Sequence, residues 1–230
     1  MTSSPIELAD PHVRSTRFTR LAVEHVHEIE IQRSVFRTVL APVRSEDDAR
    51  AVIEEQRRSF HDARHHCSAF ILGPDQDTQR SSDDGEPAGT AGIPMLTALA
   101  QRETSDERRD LTDIVAVVTR WFGGILLGAA GLVRAYSESV SQALDGARFE
   151  TWHRKRELVV SVNMAQAGRA EHVIRGLGYT LLDTTYSATG CCMTIAVTDS
   201  EEGIGAARAA LQTAFAGEAK IVEGRAVWSQ

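Results

Sequence analysis

An α+β protein of two domains is predicted for this chain, on three observations. Its 230 residues exceed one small α+β unit and fall short of three domains. The charge is divided: up to Glu150 there are 17 basic and 24 acidic residues, and beyond it 8 of each, so the whole formal charge of -7 sits in the first part. Past Glu157 the apolar periodicity runs strand, helix, strand, strand, helix, strand, the order of a ferredoxin-like βαββαβ sandwich.

The boundaries that follow are an extension over residues 1–20, a first domain over 21–150, a linker TWHRKR over 151–156 and a ferredoxin-like domain over 157–230. Within the first domain, Ile29 and Ile31 alternate with Glu28 and Glu30, then Val35 and Val39 follow, predicting one or two strands between Ala22 and Pro42. Ser45 opens a helix: its hydroxyl caps free N–H groups, Glu46, Asp47 and Asp48 suit the positive end, and Ala49, Val52, Ile53 and Phe60 recur at helical spacing. CSAFILG is a buried strand, and the polar stretch after Gly73 is a loop of about 20 residues, several times the usual connection. Pro94 starts a helix through MLTALAQ, and Ile114 to Thr119 is a second buried strand. WFGGILLGAAG is a glycine-rich turn into a helix carrying Leu132, Val133, Tyr136, Val140, Ala143 and Leu144, with Gly146 as its stop.

Past the linker the strands are LVVSVNM, YTLLDTTYSA, CCMTIAVT and KIVEGRAVW, and the helices carry Ala170 to Leu177 and Ile204 to Phe215.

Several function classes are disfavoured by composition. An acidic chain does not coat DNA by bulk electrostatics. Three thiols, Cys67, Cys191 and Cys192, are too few for a disulfide framework and fit a reducing cytoplasm. MTSSPIELADPH has no basic start and no apolar core of a leader, and the run from Trp121 to Val133 falls short of the roughly 20 residues of a membrane span. A cytoplasmic protein away from membranes is therefore expected.

Three stretches carry chemistry, each with a plainer reading beside it. In HDARHHCSAF, His61 and His65 share a face if the segment is helical, His65 and Cys67 if it is extended; a hydrogen-bonded cluster at a strand entry is favoured over a metal site. SSDDGEPAGTAG lacks calcium-loop spacing, leaving magnesium with a phosphate, an acceptor surface for a partner, or a self-capping turn; the favoured reading is a turn with an interaction surface. VVTRWFGGILLGAAGLVRAY runs strand, turn, helix, as anion sites do, but lacks the Lys and Ser/Thr of a P-loop and does not match GxGxxG. Close packing of its glycines, with Arg120 pairing an acid, is the plainer account. No GxSxG elbow is present, and no cofactor, metal or catalytic residue is assigned.

Taken together, DARHHCSAF, SDDGEPAGTAGIPML and VVTRWFGGILLGAAGLVRAY closely resemble the IMPACT family, and the two-domain layout is similar to its bacterial branch. The likeness runs by motif from about Gln32, in QRSVF, to Tyr136, and by layout alone beyond. It implies a left-handed βαβ first domain like those of ribosomal proteins and elongation factors, and a tail similar to a small elongation-factor domain. It also implies a link to translation, since eukaryotic relatives regulate translation by interfering with activation of a stress kinase; the kinase pathway itself is not carried over. Two departures stand out. Only about 20 residues precede the first expected strand, too few for the separate partner-binding domain of eukaryotic members. Ala130 precedes Gly131 where the family usually has Gly-Gly, which disfavours a left-handed backbone at 130 and weakens an anion nest.

The expected function is a cytosolic binding or regulatory protein of the translation apparatus, whose partner is a ribosome, an RNA or a translation factor. The expected partner- or ligand-binding residues are Asp62, His65, His66, Asp83, Asp84, Glu86, Thr90, Arg120, Gly123, Gly124, Gly128 and Arg134. The rival is a magnesium-dependent enzyme acting on a phosphorylated or nucleotide substrate, with Asp83 or Asp84 holding the ion and His65 or His66 as acid or base. A third reading places RNA on the open face of the ferredoxin-like sheet.

Overall fold

The structure, a computed structural model, describes residues 6–10, 12–188 and 190–230. Two units are present: Arg17–Thr151, and the described residues up to Thr16 together with Trp152–Gln230.

In the first unit, β3 (His25–Ile31) and β4 (Ser34–Pro42) form a hairpin, with Ile31 opposite Ser34. Its two-residue turn needs left-handed backbone at both central positions, and Gln32 and Arg33 adopt φ of 48° and 66°. Helix α1 (Glu46–Ser59) follows, the Ser45 hydroxyl accepting from the Asp48 N–H as its cap. Then come β5 (His65–Leu72), β6 (Thr78–Ser82), α2 (Gly92–Ala100), β7 (Ile114–Trp121) and α3 (Gly128–Gly146). The sheet order is β3-β4-β7-β5-β6 with every neighbour antiparallel, so β4 and β5 run the same way with β7 between them. A preceding strand, β2 (Arg17–Leu21), is hydrogen-bonded to β8 (Phe149–Val162).

The unbroken apolar runs of β5 and β7 have a simple cause: both faces of the sheet are covered. Ile114, Ala116 and Val118 of β7, with Cys67, Ala69 and Ile71 of β5, meet Met95 and Leu99 of α2 and Tyr136 and Val140 of α3. The alternate residues Val115, Val117, Phe70 and Leu72 meet Ala49, Val52 and Ile53 of α1 on the other side.

The second unit holds the C-terminal part of β8, then α4 (Met164–Gly176), β9 (Thr180–Tyr186), β10 (Cys191–Thr198), α5 (Glu201–Ala214) and β11 (Lys220–Ser229). Its strands lie in the order β11-β8-β10-β9, all antiparallel, over a core of Leu158, Val160, Ile174, Ile195 and Leu211. That is the βαββαβ sandwich expected of the sequence. No helix of the described residues is long and apolar enough to cross a membrane.

Three expectations change. The segment 151–156 is no linker but part of β8, and its residues 153–156 pair with β10 and β11. Its basic side chains are tolerated because Arg154 and Arg156 both donate to the buried Asp199 carboxylate, at 2.6 and 2.9 Å. Residues 1–20 are not all extension: β1 (Ile6–Leu8) adds antiparallel to β11, and β2 begins at Arg17. The long polar loop contains β6, whose TQRSS shows no alternation because an edge strand held by backbone bonds to β5 needs no apolar face.

Candidate functional site

Beyond β6 the acidic turn folds back on itself. Asp83 accepts the N–H groups of Gly89 (2.7 Å), Gly92 (2.8 Å) and Ala91 (3.0 Å), which closes the turn and caps α2 from outside the helix. Burial works against its charge, but the Gly89, Gly92 and Ala91 N–H groups outweigh it and hold the carboxyl below its ordinary range. Asp84, at φ 43°, accepts from Arg57 at 2.8 Å and from the His66 N–H at 2.6 Å, and its carbonyl accepts from His65 Nδ1 at 2.9 Å. The Thr90 hydroxyl donates to the Pro87 carbonyl within the same turn.

Glu86 points inward. Its Oε1 accepts from Arg120 at 2.6 Å and from the Tyr136 hydroxyl at 2.8 Å, with the Glu86 side chain 4% and the Arg120 side chain 7% exposed. The Arg120 guanidinium lies over the rings of Phe36 and Phe122, and its buried Nε has no hydrogen-bond partner among the described residues. Beside this group the Cys67 thiol sits 3.0 Å from the Asp83 carbonyl and 3.4 Å from the Tyr136 hydroxyl. Burial first, and then the nearby carboxylates, push that thiol up to about 12, so it is no nucleophile at neutral pH.

The chain then turns through Phe122–Leu127 into α3. Gly123 donates to Ser34 Oγ, and a Cβ there would lie 2.0 Å from the Arg33 carbonyl carbon, so only glycine fits against the hairpin turn. The α3 cap position, Leu127, makes no side-chain cap bond and the first turn holds no acid, leaving the helix's positive end open. A cleft of about 360 Å³ forms there, at the start of β5 and the end of β7. Arg64, His65, Glu86 and Arg120 form its polar wall, and Phe122, Leu126, Leu127, Gly128 and Leu132 part of its apolar one.

Of the residues singled out in sequence, His65, Glu86, Arg120 and Gly128 line the cleft. Asp83, Asp84, His66 and Thr90 build the turn behind it. Asp62 instead accepts from Trp121 Nε1, Gly123 and Gly124 shape the turn, and Arg134 is exposed on α3 outside the cleft lining. Arg64, Phe122 and Leu126 lie inside the segments singled out in sequence, 62–66 and 120–128, but were not named among the expected binding residues, although three consecutive apolar residues, ILL, in a glycine-rich turn were the available signal. Among the described residues no three His, Cys, Asp or Glu side chains gather as a metal cluster.

Fold and cleft together define a two-unit α+β protein whose first unit opens a partly basic, largely apolar cleft where a glycine-rich turn meets a helix. Residues 32–144 match the Impact N-terminal domain. The chain is 39% identical over 161 residues to the IMPACT family member YvyE of Bacillus subtilis, covering 70% of this chain and 71% of that protein. It is 48% identical over 117 residues to the IMPACT family member YigZ of Escherichia coli, covering 50% of this chain and 54% of that one. A solved crystal structure of a hypothetical protein, 31% identical, superimposes with a TM-score of 0.57 over 90% of this chain and 97% of that one. The chain belongs to the IMPACT family. Protein IMPACT of Oryctolagus cuniculus is 33% identical over 111 residues, 46% of this chain and 32% of that protein.

Proposed function

We propose that this protein is a cytosolic binding or regulatory factor of the translation apparatus, and that the cleft at the α3 N-terminus is its docking site. The observation that carries the docking site is how the polar groups are used. Asp83, Asp84 and Glu86 are spent on N–H groups, arginines and a tyrosine of the chain itself, while Phe122, Ile125 and Leu126 of the neighbouring turn face solvent. Internally satisfied acids and outward apolar groups suit a binding surface better than an acid–base centre. The family link to translation, drawn from the resemblance, supplies the partner class.

A magnesium-dependent enzyme finds less support, because the carboxylates it would recruit already accept short hydrogen bonds from the protein. Ribosome co-sedimentation of the full chain tests the proposal. Wild-type protein is expected in the ribosomal pellet and Leu126→Asp in the supernatant. Equal recovery of both in the supernatant, together with a large rise in melting temperature on adding nucleotide and magnesium, overturns it.

A further inference from the structure

The lip of the cleft narrows the chemistry of a docked partner. Leu126 is 86%, Phe122 49% and Ile125 41% exposed, three large apolar side chains in one short turn. Apolar groups gathered this way mark an interaction surface, not ordinary scatter.

Two of the arginines around the turn are unspent. Arg64 lines the cleft, and among the described residues it makes no ion pair or hydrogen bond. Arg33, whose backbone lies against Gly123 under the same turn, likewise makes none. Both differ from Arg37, Arg57 and Arg120, which are paired with acids. The open N-terminus of α3 adds its free N–H groups at Gly128 and Ala129. A complementary ligand therefore has an apolar body and a negative group beside it.

A nucleic acid meets these conditions poorly. Tracking a phosphate backbone takes a run of cations, whereas up to Glu150 the chain holds 24 acidic against 17 basic residues. Base stacking uses several aromatic faces, and of the lip residues only Phe122 offers one.

We propose that the cleft docks a protein segment carrying a bulky apolar side chain next to Asp or Glu. The apolar side chain seats against Phe122, Leu126 and Leu132, and the carboxylate faces Arg64 and the α3 N-terminus. This rests on the docking reading above and specifies what docks.

Selection of random 12-residue displayed peptides on the immobilised full chain, followed by fluorescence anisotropy of the consensus peptide, tests it. The enriched peptides are expected to pair Leu, Ile or Phe with Asp or Glu. Leu126→Asp is expected to weaken the consensus peptide by about tenfold or more, as loss of an anchoring contact does. Arg64→Glu weakens it severalfold and is rescued when the peptide's acid is replaced by Lys. Both positions are exposed, and circular dichroism confirms that the variants fold. The inference is overturned if no consensus emerges, if the consensus is basic, if neither variant alters affinity, or if a 12-nucleotide single-stranded RNA binds and the selected peptides do not. Peptide binding without ribosome co-sedimentation keeps the docking chemistry and removes the translation partner; co-sedimentation without an acidic, apolar consensus does the reverse.

Discussion

Removal of Glu86 tests the buried network behind the cleft. Its carboxylate is the only acid paired with Arg120 among the described ion pairs, and both side chains are more than nine-tenths buried. Glu86→Ala leaves a guanidinium in the interior without its counter-charge, at a cost of about 3–5 kcal/mol. The Tyr136 hydroxyl loses its acceptor in the same step, a penalty of roughly 1–3 kcal/mol that overlaps with the first and is not simply added. With a urea m-value of roughly 2 kcal/mol/M for a unit of this size, the midpoint is expected to fall by about 2 M. Trp121, one residue beyond Arg120 in β7, reports the transition by fluorescence. The double variant Glu86→Leu with Arg120→Leu is expected to recover most of the loss, because two apolar groups replace a pair whose desolvation was already costly. A single variant that loses less than about 1 kcal/mol, or a double variant as destabilised as the sum of its singles, refutes the view of Glu86 and Arg120 as a coupled pair.

Three further outcomes are expected. Asp83→Asn removes the charged cap of the turn and of α2, lowering stability at neutral pH by about 1–2 kcal/mol in urea melts. Since the folded-state pKa of Asp83 is lowered, its contribution is complete above the unfolded value of about 4 and is lost as pH falls through the folded one, so the wild-type and variant curves converge in acid. Iodoacetamide at pH 8, read by peptide mass mapping, labels the exposed Cys192 and spares Cys67, whose thiol burial pushes up to about 12; equal labelling in the native protein contradicts the buried placement. Gly123→Ala drives a methyl into the Arg33 backbone and is expected to lower the melting temperature by several degrees, whereas Gly124→Ala meets no atom and pays only for its φ of +85°.

How much was legible beforehand follows from the range of each interaction. Helix α1 was readable end to end: the Ser45 cap, the acids of the first turn and the apolar spacing from Ala49 to Phe60 all lie within a few residues of what they stabilise. The strands β5 and β7 were readable because burial on both faces leaves unbroken apolar runs. β6 was not, since its bonds run between backbones and leave no mark on TQRSS. Nor was β8 across 151–156, where charge reads as linker until Asp199, 45 and 43 residues from its two arginines, is seen to hold both.

The site divides the same way. Local pattern alone determined that an acidic, glycine-rich turn, a histidine pair at a strand entry and a strand–turn–helix segment exist, and those three motifs were enough to indicate the family. Only the tertiary structure decided that Glu86 turns inward to Arg120, 34 residues away, while Leu126 turns outward. The physical reason is that a carboxylate's partner and a leucine's exposure are set by what the folded chain brings to them, and neither property belongs to a residue in isolation.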